Sequence, residues 1–367
     1  MAAFRNGMAA GSSYRLSLAF AQFLMAQGDL PGASAQFDLL RKSRPDGIDT
    51  LMFGGALSEK YERRDLANKY YRRAATLYPF RLEPLVALGN LLDLQGKVDE
   101  AAQLAEAAGQ IAPGDPSVTQ LQVTVYSEQG KWQKVRDLLQ AKEGELDPTT
   151  ADGLKYAEAL LRLGRVEQAR AMFLRALQAQ PQNRYVRMML AEAQLATGDP
   201  AGALDTMRPA TIGPFVGQRE LELAKQAAEA AKSPEAGGFA TRLASPEFAE
   251  QQRLAGQAQA AELRGQSAEA LRLYQQLATH GMDAELARRI ALAATAAGQY
   301  DLAIATADKA LASESDNAEL LFVAAQARIK AGRDQARALV LIERALSFDS
   351  RNAAYRALLE QARAAAG

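Results

Sequence analysis

Apolar residues recur along most of this chain at intervals of three and four. Phe20, Ala21 and Leu24 are followed by Ala33, Phe37 and Leu40; Tyr156, Ala157 and Leu160 are followed by Ala169, Phe173 and Ala176. That spacing predicts amphipathic helices, each with one apolar face. A glycine separates the two members of each pair and a proline follows the second: Gly28 and Pro45 in the first case, Gly164 and Pro181 in the second. Glycine supplies the positive φ that closes a helix in a tight turn. Proline cannot continue the hydrogen-bond ladder and stops the second helix. The pattern predicts helix–turn–helix pairs from Tyr14 almost to the end of the chain.

The pairs keep a fixed phase. Gly28, Gly96, Gly130, Gly164 and Gly198 are separated by multiples of 34 residues, with Glu62 in the one slot that lacks glycine. Pro45, Pro79, Pro113 and Pro181 run in parallel, and Pro148 is one residue out of step. A period of about 34 marks a helical repeat array, which grows by stacking rather than around one large core. After a disordered lead at 1–13, units are predicted at 14–47, 48–81, 82–115, 116–149, 150–183 and 184–217. The fourth is weaker, with Val135 and Leu139 at the small and aromatic positions, and the sixth ends irregularly in Pro209, Gly213 and Pro214. Asp199-Pro200 reads as an N-cap followed by proline in the first turn. Residues 218–250, broken by Ser233-Pro234 and Gly237-Gly238, are expected to form a degenerate repeat and hinge. The pattern returns at 251–283, 284–317 and 318–351, the last needing one inserted residue after Gly332. Residues 352–367 predict a capping helix, with Tyr355, Leu358, Leu359 and Ala362 on its apolar side.

The unit Tyr156, Ala157, Leu160, Gly164, Ala169, Phe173, Ala176, Pro181 resembles the tetratricopeptide repeat (TPR) pattern, and the resemblance covers roughly residues 14–365. It implies an all-α, right-handed superhelical solenoid of antiparallel helix pairs. Small residues such as Ala21, Gly55, Gly89, Ala157 and Ala191 let helices approach closely, and Phe37, Tyr71 and Phe173 fill the space between pairs. Regular glycine and proline argue against the rival reading, a long coiled coil.

Composition agrees with helix and narrows the chemistry. The 367 residues are 48% hydrophobic and 23% charged, and β-branched residues are scarce. Lysine plus arginine equals aspartate plus glutamate, 43 each, so no net charge points to nucleic acid or an anionic membrane. The absence of cysteine removes disulfides, thiolate metal sites and cysteine nucleophiles. The single histidine, His280, stands before Gly281 and reads as a helix end. Gly96-Lys97 and Gly130-Lys131 lack the following Ser or Thr of a phosphate loop. No catalytic constellation is present in the sequence, and no enzyme activity, cofactor, metal or small-molecule ligand is expected. No stretch is long and apolar enough to span a membrane. The N-terminal residues have no signal-peptide pattern, so the literal expectation is a soluble, cytoplasmic chain, or a periplasmic one if a leader has been removed.

In TPR proteins the first helices line a concave groove, chiefly through the second, fifth, ninth and twelfth positions of the repeat. At those positions this chain has the acids Asp49, Glu59, Glu83, Asp93, Glu158, Glu192, Glu262, Glu285 and Glu319, against the cations Arg15 and Arg288. The resemblance therefore implies a protein-binding scaffold with an acidic and apolar groove, suited to a basic or amphipathic partner segment. Glu83, Asn90, Asp93, Glu158, Leu161, Tyr185, Met188, Glu192 and Leu195 are its candidate lining. Asn90 has the place of a carboxylate clamp residue, but Val86 stands where the clamp lysine would be, which argues against a co-chaperone. Lys69, Arg72 and Arg73 form a candidate basic patch on the convex side. Soluble bacterial chains of this kind serve envelope assembly in pili, secretion or exopolysaccharide export, and the resemblance extends that expectation here. The alternative is a saccharide-binding or regulatory subunit of a polysaccharide complex, for which Trp132, the only tryptophan, is the exposed-aromatic candidate.

Overall fold

The computed structural model describes residues 14–140, 144, 146–350 and 352–366. The expected lead at 1–13 lies outside them. Among the described residues there are 21 α-helices, two short 3-10 helices and no strand. The chain divides into two compact units, Met1–Pro181 and Gln182–Gly367.

The first unit consists of helix pairs: α1 (Tyr14–Ala26) with α2 (Leu30–Ser43), α3 (Ile48–Lys60) with α4 (Arg64–Leu77), α5 (Leu82–Asp93) with α6 (Val98–Ile111), α7 (Pro116–Glu128) with α8 (Trp132–Gln140), and α9 (Ala151–Arg162) with α10 (Val166–Ala179). Each pair turns where the glycine phase requires. Gly28, Gly96, Gly130 and Gly164 all have φ between 66° and 80°, and Glu62 adopts the same left-handed conformation at φ 58°. The repeat geometry thus imposes a conformation on Glu62 that side chains other than glycine rarely adopt. Side-chain caps on Asp29, Asp115 and Thr150 satisfy free N–H groups at helix starts.

Packing follows the small-against-large pattern. A methyl group on Gly55 would overlap the Tyr71 ring, and one on Gly54 would stand 2.6 Å from Phe37. Phe37 meets Tyr70 edge-on at 5.5 Å between ring centroids and Phe53 at 6.0 Å. In the weaker fourth repeat Val135 and Leu139 are fully buried, so branched aliphatics replace the usual alanine and aromatic.

The second unit begins with α11 (Arg184–Ala196) and α12 (Pro200–Met207), the latter capped by Asp199 with proline in its first turn. It continues through α13 (Gln218–Ala230), α14 (Glu235–Leu243), α15 (Pro246–Leu263), α16 (Ser267–Leu277), α17 (Ala284–Ala296), α18 (Tyr300–Ser313), α19 (Ala318–Ala331), α20 (Gln335–Phe348) and α21 (Ala353–Ala366). His280 ends the short 3-10 turn after α16, and Gly281 follows at φ 133°. Lys232 lies one period after Gly198 and has φ 54°, so the interrupted segment keeps the repeat's turn without its glycine. Asp334 also has φ 54° directly after the glycine turn at Gly332, which is where the inserted residue of the last repeat is absorbed. The helix α14 has no fully buried side chain. On α21, Tyr355, Leu358 and Ala362 are buried against the last repeat, with Tyr355 stacked 5.1 Å from Phe322.

Between α12 and α13 the chain leaves the repeat plan. After a 3-10 turn at Arg208–Thr211, residues 212–217 run as a strap that reaches forward to later helices. Val216 is fully buried with Leu221 and Phe248, and Phe239 and Leu243 pack around them. Residues 218–250, read from the sequence as a hinge, lie within this second unit.

Two outcomes follow. Gly55→Ala is expected to destabilise the protein: helix propensity returns up to about 1 kcal/mol, but overlap with a packed ring costs about 1–3 kcal/mol, and a lowered denaturation midpoint would register the net loss. Limited proteolysis is expected to cut first within residues 233–247, where α14 is least buried; resistance there equal to that of the repeats would count against a hinge.

Candidate partner-binding surface

The residues that the repeat phase assigns to a groove lie on the first helices of each pair. In the first unit Glu83 and Asn90 are exposed on α5. Glu83 is held below the usual carboxylate range by a hydrogen bond to its own backbone and by Arg81, 2.9 Å away. Glu158 on α9 is only 8% exposed and is bonded to Lys155 at 3.1 Å, with Arg162 at 3.7 Å. Leu161 is buried beside it at 9% exposure. Glu59 accepts a hydrogen bond from the Tyr71 hydroxyl at 2.6 Å, and burial together with that carboxylate raises the Tyr71 hydroxyl far above its ordinary range.

Asp93 is different. It ends α5, and Glu128 ends the neighbouring first helix α7. Burial and the Asp93 carboxylate together raise the Glu128 carboxyl above its usual value, and Lys155 opposes the shift without cancelling it. One Asp93 carboxylate oxygen is buried without a hydrogen-bond partner. Two carboxyls are thus held against each other at the ends of neighbouring first helices. Glu128 stands one position beyond the expected twelfth, so the positional reading missed it. A carboxylate one turn along from Asp93 on the next first helix was the available signal.

In the second unit Tyr185, Met188 and Leu195 are half-buried on α11, and Met188 and Leu195 pack on the cluster of Leu204, Met207, Leu223 and Ala224. Glu192 is paired with Arg219 of α13 at 2.7 Å. Leu195, Glu192 and Arg219 border a hollow of about 550 Å³. Farther along, Glu262 accepts from Tyr274 and from Arg289, Glu285 from Arg288 and Arg289, and Glu319 from Arg288. Burial and Glu262 push the Tyr274 hydroxyl up to about 12. Arg288, one of the two expected cations, and Arg219 and Arg289, which the positional reading did not include, thus reach the predicted acids.

On the opposite side Lys69, Arg72 and Arg73 are all exposed on α4. Acids of neighbouring repeats meet two of them: Glu100 bonds Arg72 at 2.9 Å, and Asp46 bonds Arg73 at 2.6 and 2.9 Å. Trp132 is half-buried over Gly130, 3.8 Å from where a methyl group on that glycine would stand. Among the described residues no group of acids and histidine is placed to hold a metal, and no helix is long and apolar enough to cross a membrane.

The tetratricopeptide repeat family model matches residues 62–116 and 154–217. No curated protein matches the chain. Among solved structures, a tetratricopeptide repeat protein from Parabacteroides merdae aligns at 13% identity over 77% of this chain and 99% of its own, with a TM-score of 0.47. A thermophilic TPR protein of Thermus thermophilus aligns at 22% identity over 50% of this chain and 100% of its own, TM-score 0.35. YrrB, a TPR protein with an unusual peptide-binding site, aligns at 13% identity over 53% of this chain and 97% of its own, TM-score 0.42.

The Asp93–Glu128 pair makes a pH prediction. A carboxyl whose folded-state pKa is raised from 4.5 contributes stability below that value and loses it as pH rises through the raised one. Glu128→Gln should therefore gain stability relative to the native chain as pH climbs from the acid side of the carboxylate range to neutral. Paired thermal melts across that range test it; a difference independent of pH would sink it.

Proposed function

We propose that this chain, a tetratricopeptide repeat protein, is a scaffold that holds a basic or amphipathic segment of a protein partner against the first helices of its first unit. Stacks of this kind mediate protein–protein contact through the extended faces that their helices present. The carrying observation is the Asp93–Glu128 pair, which keeps two carboxylates in mutual repulsion on that face. A lysine or arginine from a partner, placed against the exposed Glu128 carboxylate, would relieve the repulsion. Exposed Glu83 and Asn90 on the same helix extend the polar contact, and Asp49 adds an exposed acid on α3.

The partner is then recognised by positive charge rather than by an anchored carboxylate, in line with Val86 at the clamp position. We extend the proposal to bacterial envelope assembly on the family resemblance and the alanine-, arginine- and glutamine-rich composition. Glu158 and Glu192 support the groove through their own ion pairs and are poorer probes of binding than Asp93 and Glu128.

The test is titration of a labelled amphipathic Lys/Leu peptide, followed by fluorescence polarisation at low and moderate salt. Glu128→Gln is expected to weaken binding by about two- to fivefold, the range for a partly exposed ion pair of ~0.5–1 kcal/mol. Asp93→Asn with Glu128→Gln should weaken it further and flatten the salt dependence. Equal affinity for native and doubly substituted protein would remove the proposal.

A further inference from the structure

The strap between α12 and α13 is held in an unusual way. Every carbonyl from Thr211 to Val216 accepts from a side chain of a surrounding helix. Arg242 reaches Thr211, Arg184 reaches Ile212 at 3.5 Å and also Phe215, Gln251 reaches Gly213 at 3.0 Å and Pro214 at 2.8 Å, and Gln252 reaches Val216. The Phe215 ring lies edge-on to Tyr274 at 6.1 Å, with the Arg289 guanidinium 5.3 Å above it. The N–H groups of Ile212, Gly213 and Phe215, none of them buried residues, donate no hydrogen bond among the described residues.

Ile212, Gly213 and Phe215 form one wall of a cleft of about 1000 Å³, and Asp283, Glu285, Arg288, Glu314 and Glu319 are among the residues that line the rest. Hydrogen-bonding capacity in this cleft is lopsided. Its carboxylates are already engaged: Glu285 with Arg288 at 2.7 Å and Arg289 at 2.6 Å, Glu319 with Arg288 at 3.1 Å, and Glu314 with Asn317 at 2.9 Å. Asp283 caps α17 through the Leu286 N–H at 2.8 Å, and burial raises its carboxyl toward the neutral form. What remains unspent is donor capacity, in the strap amides and the guanidinium edges. A backbone N–H without a partner needs water or a ligand acceptor.

We propose that this cleft binds an extended, carboxylate-bearing segment of a partner protein, which lies along the irregular strap. Its main-chain carbonyls accept from the strap amides, and its carboxylate takes the free edge of Arg288. The recognising element is the irregular strap, and the preference is opposite in charge to that of the first unit. Backbone pairing supplies affinity, and the side-chain charge supplies selection.

The probe is a short fluorescein-labelled peptide of alternating Glu and Val, compared with its Lys/Val counterpart on the full chain. The Glu/Val peptide is expected to bind at least about tenfold more tightly. Arg288→Gln should reduce its affinity several-fold. Ile212→Glu should do the same, and because Ile212 is 71% exposed this change leaves the fold intact. At saturation, amide exchange should slow at Ile212, Gly213 and Phe215. Equal binding of the two peptides, or unchanged exchange at those amides under saturation, would overturn the proposal. Glu128→Gln, which reports on the first unit, should leave Glu/Val binding unchanged, so failure of either site is read separately.

Discussion

Everything in this protein depends on how closely two helices of a pair approach. Gly55 has no room for a methyl group because the Tyr71 ring of its own pair occupies that space, and between successive repeats Gly89 of α5 is met in the same way by Leu121 of α7. Because interiors are packed to the density of crystals, these contacts fix the rotation of each first helix about its own axis. That rotation decides which positions face the neighbouring helices and which face away from them. The tight turn then has no freedom left, and Glu62, Lys232 and Asp334 take left-handed backbone that their side chains disfavour. Tertiary packing outweighs local preference at those positions.

The same rigidity explains why the fold was legible in the sequence and the site only partly so. Glycine phase, small-against-aromatic spacing and proline stops are one-dimensional marks of packing, and the turns at Gly28, Gly96, Gly130 and Gly164 stand where those marks put them, while α15 starts at Pro246, before the unit read from 251. Even the breaks in the ladder had a physical reading: Lys232 preserves the turn of the interrupted repeat, and Asp334 absorbs the extra residue of the last. Charge pairing is not one-dimensional. Arg219, Arg288 and Arg289 reach Glu192, Glu319 and Glu262 from neighbouring first helices, so the sequence shows these acids without showing that they are neutralised. The strap was visible only as irregularity at Pro209, Gly213 and Pro214. No local pattern tells that its carbonyls will find Gln251 and Gln252 more than a repeat ahead.

The two units deal with surplus polarity in opposite ways. In the first, the Asp93 and Glu128 carboxyls stay close to each other, with Glu128 at the surface and one Asp93 oxygen buried. In the second, guanidinium groups bridge from repeat to repeat and leave few acids open, while the irregular strap carries unpaired donors beside them. A scaffold of nearly identical helices thus presents two chemically different faces with the overall charge still balanced at 43 of each sign. Aromatic hydroxyls finish the arrangement from within, as Tyr71 and Tyr274 tie the last turn of their first helices to the second.

Stacked repeats can usually gain or lose a copy, because each touches only its neighbours and stability is a sum of local terms. The strap removes that freedom from the second unit. Arg184 before it, Arg242 and Gln251 after it, and Phe215 against Tyr274 join four different helices to one short run of backbone. Excising any one of those repeats strands carbonyls that the others cannot reach. Residues 184–289 are therefore bound to fold and to evolve as a single cooperative block, in which the number of repeats is fixed by a segment that is not itself a repeat.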